Sequence, residues 1–185
     1  ADMTLENVVI NYTANNQTQV INYVDGNGKT IKTDTVIGKT DQTVKVPVSV
    51  PDHYVLAPSQ NIPSSVKLTT TNTSIMVKVT PKLDPVTDSS QLNKMITRTI
   101  TINKPGQGPE VIKQEAKFSR TGETNEVTGK TTYPDWQLEN STLNYVSVPT
   151  VAGYTPSQLS VDGVENPAAD MTLENVVINY TANNQ

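Results

Sequence analysis

Cysteine is missing from these 185 residues, and histidine, tryptophan and phenylalanine occur once each. Without cysteine the chain has no disulfide framework. A cytosolic protein and an exported bacterial surface protein both tolerate that, whereas an animal secreted module of this size ordinarily carries disulfides. A single histidine, His53, leaves no His cluster for a metal, and the run Pro51-Asp52-His53-Tyr54 offers no nucleophile for it to serve. Clusters of Lys and Arg are lacking, and a net charge of −4 argues against nucleic acid or an anionic membrane surface as a partner. No stretch approaches the roughly 20 apolar residues of a membrane span, and no signal peptide is seen, so membrane insertion is not expected. A helical period sustained over a dozen residues is absent too. Residues 41–45 and 156–161 are the best short candidates, each with room for a turn or two.

What is present is strand and turn chemistry. Thr and Val suit a pleated, half-buried surface, while Asn, Gly and the 12 prolines supply turns. Aromatics make up only 5% of the residues, so aliphatic side chains must do most of the packing in one or two domains. Asn-X-Ser/Thr sequons begin at Asn11, Asn16, Asn72, Asn140 and Asn179, several inside expected strands where a glycan would be awkward. They read as products of an Asn/Thr-rich composition, which favours a bacterial exterior.

Residues 1–17, ADMTLENVVINYTANNQ, recur without a change as residues 169–185. An exact copy at that separation implies a tandem array, and so long a period means a string of whole domains, since solenoid units are roughly 20 to 50 residues. Residues 1–17 are then the end strand of a preceding repeat, or the linker from it. Adjacent repeats of the same chain become expected partners. An apolar strand such as Val8-Val9-Ile10, separated from its own sheet, is a template for pairing; the segment is expected to order by packing on the first domain, on another copy, or by continuing into Gln19.

Along the chain, residues 18–25 (TQVINYVD) alternate and meet Gly26-Asn27-Gly28, which reads as a hairpin with a type I′ Asn-Gly turn and a return strand over residues 30–37. A calcium loop is the other reading of Asp25 to Gly28, but Lys29 follows and no distal Glu stands at the required spacing. Alternation returns over residues 43–50, with Pro47 at an edge or bend, and a strand over residues 74–80 closes the domain. Two prolines in residues 81–90 make a stiff connector. The first domain is therefore placed at 18–84 and a larger β-rich one at 91–182. The second opens on a strand at 95–103, a Gly turn and a partner strand at 110–121, and closes at 172–181. Val48-Ser49-Val50-Pro51 returns as Val146-Ser147-Val148-Pro149, each followed by a Tyr and then Pro-Ser-Gln, so the two domains are related. The second carries an insertion that includes residues 122–129 and 133–136. A hairpin, a crossover with little helix and a late returning strand suggest a β-grasp-like arrangement.

Few residues offer chemistry. Asp135, Glu139, Glu123 and Glu126 lie close along the chain and bear on glycosidase work, but scattered surface carboxylates are the commoner case, so no catalytic residue, metal site or cofactor is expected. Tyr133-Pro134-Asp135-Trp136 is the most distinctive cluster. Aromatic faces pack on sugar rings, and Asp135 and Gln137 can bond to hydroxyls, making Tyr133, Asp135, Trp136 and Gln137 candidate glycan-binding residues. The plainer alternative makes Trp136 a core residue. Tyr12, Tyr23, Tyr145 and Tyr180 fall in strand patterns and read as half-buried packing residues.

The run Val20-Ile21-Asn22-Tyr23-Val24-Asp25-Gly26-Asn27-Gly28-Lys29 resembles the opening motif of mucin-binding (MucBP-type) repeats. From Thr97-Arg98-Thr99-Ile100 through Phe118-Ser119-Arg120-Thr121-Gly122 and Asp135-Trp136 to Gly153-Tyr154, the second domain is similar to the companion domain of the mucus-binding (Mub-type) repeats on lactic acid bacteria. The resemblance implies a mainly β, elongated two-domain repeat with a β-grasp (ubiquitin-like) first domain. It further implies a cell-wall-anchored adhesin, extracellular on a Gram-positive bacterium, whose repeats form a rod. Pro47 and the weak helix signal depart from a β-grasp pattern. Host mucin glycans are the implied partner, held weakly at each repeat and gripped by avidity. Immunoglobulin bound at a β edge and a non-binding spacer are the alternatives.

Overall fold

A computed structural model describes residues 2–185. Its elements in chain order are β1 (Asn16–Val24), β2 (Thr30–Lys39), β3 (Thr43–Lys45), β4 (Tyr54–Leu56), β5 (Ser65–Lys67), β6 (Ile75–Pro81), β7 (Leu83–Pro85), α1 (Ser89–Leu92), β8 (Asn93–Asn103), β9 (Glu110–Ser119), β10 (Glu123–Asn125), β11 (Thr131–Thr132), β12 (Gln137–Ser141), β13 (Val146–Ser147), β14 (Tyr154–Pro156), β15 (Ser160–Val161) and β16 (Val176–Ala182). The fold is mainly β. The chain divides into two compact units, one running up to Leu83 and including Asn125–Gly129, the other made of Asp84–Thr124 and Lys130–Gln185.

In the first unit β1 and β2 form a hairpin, and the sheet runs β2-β1-β6-β4, with β1 parallel to β6 and β4 antiparallel to it. Alternation along β1 turns Gln19, Ile21 and Tyr23 inward, where Ile21 and Tyr23 meet Val46, Val77 and Val79. The Tyr23 hydroxyl, carried into this core by its ring, accepts a hydrogen bond from Ser49 N at 2.7 Å. The hairpin turn differs from the expected type I′. Of its residues only Gly28 has positive φ, at 81°, and Asp25 N donates to Lys29 O while Gly28 N donates to Asp25 O. That is a type I turn closed by a glycine bulge, and the register shift at Tyr23/Val24 follows from it. Asp25 Oδ1 accepts from Asn27 N at 2.9 Å and Lys29 N at 3.0 Å, so the carboxylate organises the turn itself.

The second unit repeats the plan with an added strand: its sheet runs β12-β9-β8-β16-β14, with β8 parallel to β16. Pro105-Gly106 makes the β8–β9 turn, with Gly106 at φ 72°. The insertion supplies β10, β11 and the approach to β12. Ile100, Ile102 and Ile178 pack with Val148 and Val161, and Ile96, Ala116, Phe118, Leu143 and Ala169 form a neighbouring cluster. A buried Arg98 joins strands to loops: Nε donates to Gln114 Oε1 at 2.7 Å and Nη2 to Asp162 O at 2.8 Å.

Three further expectations change. Neither helix candidate is helical: residues 43–45 pair with β5, and of residues 156–161 the first ends β14 and the last two form β15, because ladder partners outweigh a weak local helix preference. Among the described residues the one helix is the single turn α1, capped by Asp88, whose side chain accepts from Ser90 N. Of the tyrosines read as packing residues, Tyr23 is buried and Tyr180 half-buried, but Tyr12 is 94% and Tyr145 61% exposed. The third concerns the duplicated segment. Its second copy contributes β16, with Ile178 fully buried, while residues 2–15 carry no strand and leave Ile10 74% exposed. β1 takes up only the last two residues of this copy, Asn16 and Gln17, so the expected ordering of Val8-Val9-Ile10, by packing or by continuation into Gln19, is not what the structure shows. No ladder or core covers Val8, Val9 or Ile10.

Candidate functional site

The most distinctive constellation lies in the second unit where β9 ends. Arg120 follows β9; its backbone N donates to Leu92 O at 3.0 Å and its Nε to Gln91 O at 2.8 Å, which fixes the side chain along its length. The guanidinium carbon then lies 3.8 Å from the centre of the Tyr133 ring and 4.1 Å from that of Trp136. Each cation–π contact of this kind is worth about 0.5–2 kcal/mol, depending on how dry it is. Gly122 makes the approach of Tyr133 feasible, since a Cβ there would stand 2.6 Å from two atoms of the ring.

Trp136 immediately precedes β12, which pairs with β9 through Gln137↔Ser119 and Leu138↔Phe118. It is half-buried and packs against the Ile96, Ala116, Phe118, Leu143 and Ala169 cluster. The ring thus has a core side, a contact with Arg120 and an open part. The open part faces a groove of about 520 Å³ lined by Phe118, Asp135, Trp136, Leu138, Ala168 and Asp170, among others. Apolar walls with two exposed carboxylates can pack on a sugar ring and accept its hydroxyls.

Of the four candidate residues, Asp135 and Trp136 line this groove. Tyr133 stacks on Arg120, and the Gln137 amide turns back to donate to Asp135 O at 3.3 Å. Arg120, Leu138 and Asp170 were missed. Arg120 stood inside the Phe-Ser-Arg-Thr-Gly run, but nothing local says that it meets residues 133 and 136. Of the four carboxylates weighed for glycosidase work, Asp135 lines the groove, and Glu126 and Glu139 have other partners. Glu126 belongs to the first unit, where it stands 3.1 Å from His53 Nδ1 and 3.5 Å from Lys82 Nζ, and Glu139 takes the Ser119 hydroxyl at 2.5 Å. His53 itself is an exposed turn residue at φ 70°. Among the described residues no three His, Cys, Asp or Glu side chains gather as a metal site, and no helix is long and apolar enough to cross a membrane.

A family model described as Muc B2-like domain matches residues 87–184, over half the chain. The chain belongs to that family. It is a mucus-binding (MucBP/Mub-type) repeat domain, of a family generally associated with mucus-binding adhesins and non-catalytic. Among solved structures, the crystal structure of Mub-RV is similar over 91% of this chain and 100% of its own, at 23% identity and a TM-score of 0.58, so the two share a fold. The type 2 repeat of the mucus binding protein MUB from Lactobacillus reuteri matches over 90% of this chain and 100% of its own, at 22% identity and a TM-score of 0.44. No curated protein sequence matches the chain.

Proposed function

We propose that this mucus-binding repeat contacts host mucin glycans weakly in the groove beside Trp136, and that repetition along a surface adhesin turns weak contacts into useful adhesion. The observation that carries the reading is the half-exposed Trp136 ring set beside Asp135 and Asp170 in one groove. Arg120 and the core hold the ring in place before a ligand arrives, so little ordering entropy is spent on binding. Avidity then comes from tethering: a second repeat meets its ligand at an effective concentration set by the chain between them. The repeat belongs, in this proposal, to a cell-wall-anchored protein outside a Gram-positive cell. Its modules are residues 18–84 and 91–182, with 1–17 as the end strand of the repeat before. A β-grasp ancestry for the first module is supported by its order β2-β1-β6-β4 with a parallel central pair, although strands occupy the place of the crossover helix.

A second reading has its own observation. β2, ten residues long, ends its sheet, and such an edge is suited to adding a strand of an immunoglobulin domain. A glycan array, with mucin and immunoglobulin surfaces alongside, separates the readings. Glycan binding lost in Trp136→Ala and in the milder Asp135→Asn, both still folded, supports the groove. Immunoglobulin binding that survives both variants moves the site to the edge. Silence toward every ligand leaves a spacer.

A further inference from the structure

We infer that each unit of this repeat is a mechanical clamp: it resists tension applied along the chain, a function separate from ligand binding and independent of it. The observation is one of connectivity. In the first unit the incoming strand β1 and the outgoing strand β6 are hydrogen-bonded neighbours running parallel, with Ile21↔Ile75, Asn22↔Met76, Tyr23↔Val77 and Val24↔Lys78 in register. In the second unit β8 and β16 stand in the same relation, through Val176↔Ile100, Val177↔Thr101, Ile178↔Ile102 and Asn179↔Asn103. When two neighbouring strands are parallel, the start of one and the finish of the other lie at opposite ends of the pair. Tension between those points slides the strands lengthwise, and the bonds of the pair are loaded together. An antiparallel pair pulled from two adjacent ends opens one bond at a time.

Side chains oppose the slide as well. Ile21 and Tyr23 on β1 interlock with Val77 and Val79 on β6, and Ile100 and Ile102 on β8 with Ile178 on β16, all of them fully buried or nearly so. A slip of one residue, about 3.3 Å, would bring each inward side chain opposite an outward one, so the pair must move about twice that distance to regain its match. Both clamps are also lengthened by a side-chain amide just before the late strand begins. Buried Gln19 donates to Thr73 O at 2.8 Å and accepts from Asn72 Nδ2 at 2.9 Å. In the second unit Asn175 Oδ1 accepts from Thr99 N at 2.8 Å, and Asn103 Nδ2 donates to Asn179 Oδ1 at 2.9 Å. Each unit thus adds side-chain amide bonds to its parallel pair, with donors and acceptors placed differently in the two. A repeat strung between a cell and a flowing gel is pulled along this direction.

Single-molecule force spectroscopy tests the inference, and the absence of cysteine lets paired handles be installed at will. One version of the chain carries Asn93→Cys with Ala182→Cys, which pulls β8 against β16 lengthwise. The other carries Asn93→Cys with Ser119→Cys, register partners at one end of the antiparallel β8–β9 pair. At equal loading rate the first should rupture at several-fold higher force and release on the order of 300 Å of chain. The second should peel at low force. Asn175→Ala should lower the rupture force in the first geometry and leave the second unchanged, a readout that a general loss of stability would not produce. The unsubstituted chain held by its two ends should show high-force events for both units, which guards against a cysteine pair that disturbs folding. Equal forces in the two geometries, or a weaker event in the lengthwise one, would overturn the clamp.

Discussion

Replacing Ile178 with alanine and, in a separate variant, Ile10 with alanine removes the same side chain from the same local sequence, because residues 1–17 and 169–185 are identical. Ile178 is fully buried on β16, against Ile100, Ile102, Val148 and Val161, whereas Ile10 is 74% exposed. Truncating a buried isoleucine to alanine costs about 2–5 kcal/mol, through lost transfer energy and the cavity left behind. With a urea m-value of about 2 kcal/mol/M, a loss of about 3 kcal/mol moves the unfolding midpoint down by about 1.5 M. Ile10→Ala should stay within about 0.5 kcal/mol of the parent, or roughly 0.25 M. The assay is urea unfolding followed by far-ultraviolet circular dichroism, which reports both units; fluorescence of Trp136 would follow only the second unit, whereas Ile10 belongs to the first. Local propensity is matched between the two sites, so a difference between them measures tertiary packing directly. If Ile10→Ala shifts the midpoint as far as Ile178→Ala does, the first copy is packed as the second is, and the account of the duplicated segment fails.

Gly122→Ala should cost about 1–3 kcal/mol by overpacking and should move the Tyr133 ring off Arg120, visible as a changed near-ultraviolet circular dichroism signal. Gln19→Ala should cost about 1–3 kcal/mol, since Thr73 O and the Asn72 amide lose their buried partner; denaturant titration of the first unit checks it. The Asp88 carboxyl is held below its ordinary 3.8 by the Ser90 hydroxyl and then by the Ser90 backbone N–H. Because the folded value is the lower one, the carboxylate's stabilising contribution is present above the unfolded value and lost as pH falls through the folded value. NMR titration should find Asp88 titrating below an ordinary aspartate, and Ser90→Ala should bring it back up.

The hairpins were readable because their information is local: alternation in residues 18–25 and 95–103 with glycine between strands marks β1, β2, β8 and β9. Turn geometry was less so. Asn27-Gly28 suggests a type I′ turn by composition, but the Asp25 side chain bonds two backbone N–H groups and selects a longer loop in which Gly28 alone takes positive φ. The helix candidates misled for the opposite reason, since residues 43–45 become strand through pairing with residues 65–67, a contact no window along the chain contains. The duplicated segment makes the same point without any change of sequence. Its second copy is a strand because β8 and β14 are there to receive it, and its first copy lacks both neighbours.

Residues 133–137 of the candidate site are legible in the sequence and Arg120 is not, and nothing local decides between a core tryptophan and a binding one. A half-buried ring can do both when its surroundings divide its surface. The pairing of β9 with β12 sets Trp136 beside the Phe118 cluster, and the chain beyond β9 brings Arg120 over the same ring. Packing on the core and on a cation fixes the indole, and rigidity is what a weak glycan site needs, because a sugar ring brings little apolar area with which to offset ordering a mobile aromatic. On the proposed glycan reading, Arg120→Ala should weaken glycan binding without touching the groove walls, through loss of a held ring. Arg120→Lys should restore little of it, because an ammonium has no planar face to lay against two aromatic rings. Binding measured in these two variants alongside Asp135→Asn therefore separates a residue that holds the ring from one that meets the ligand. If Arg120→Ala binds glycan as the parent does, the stack serves stability alone.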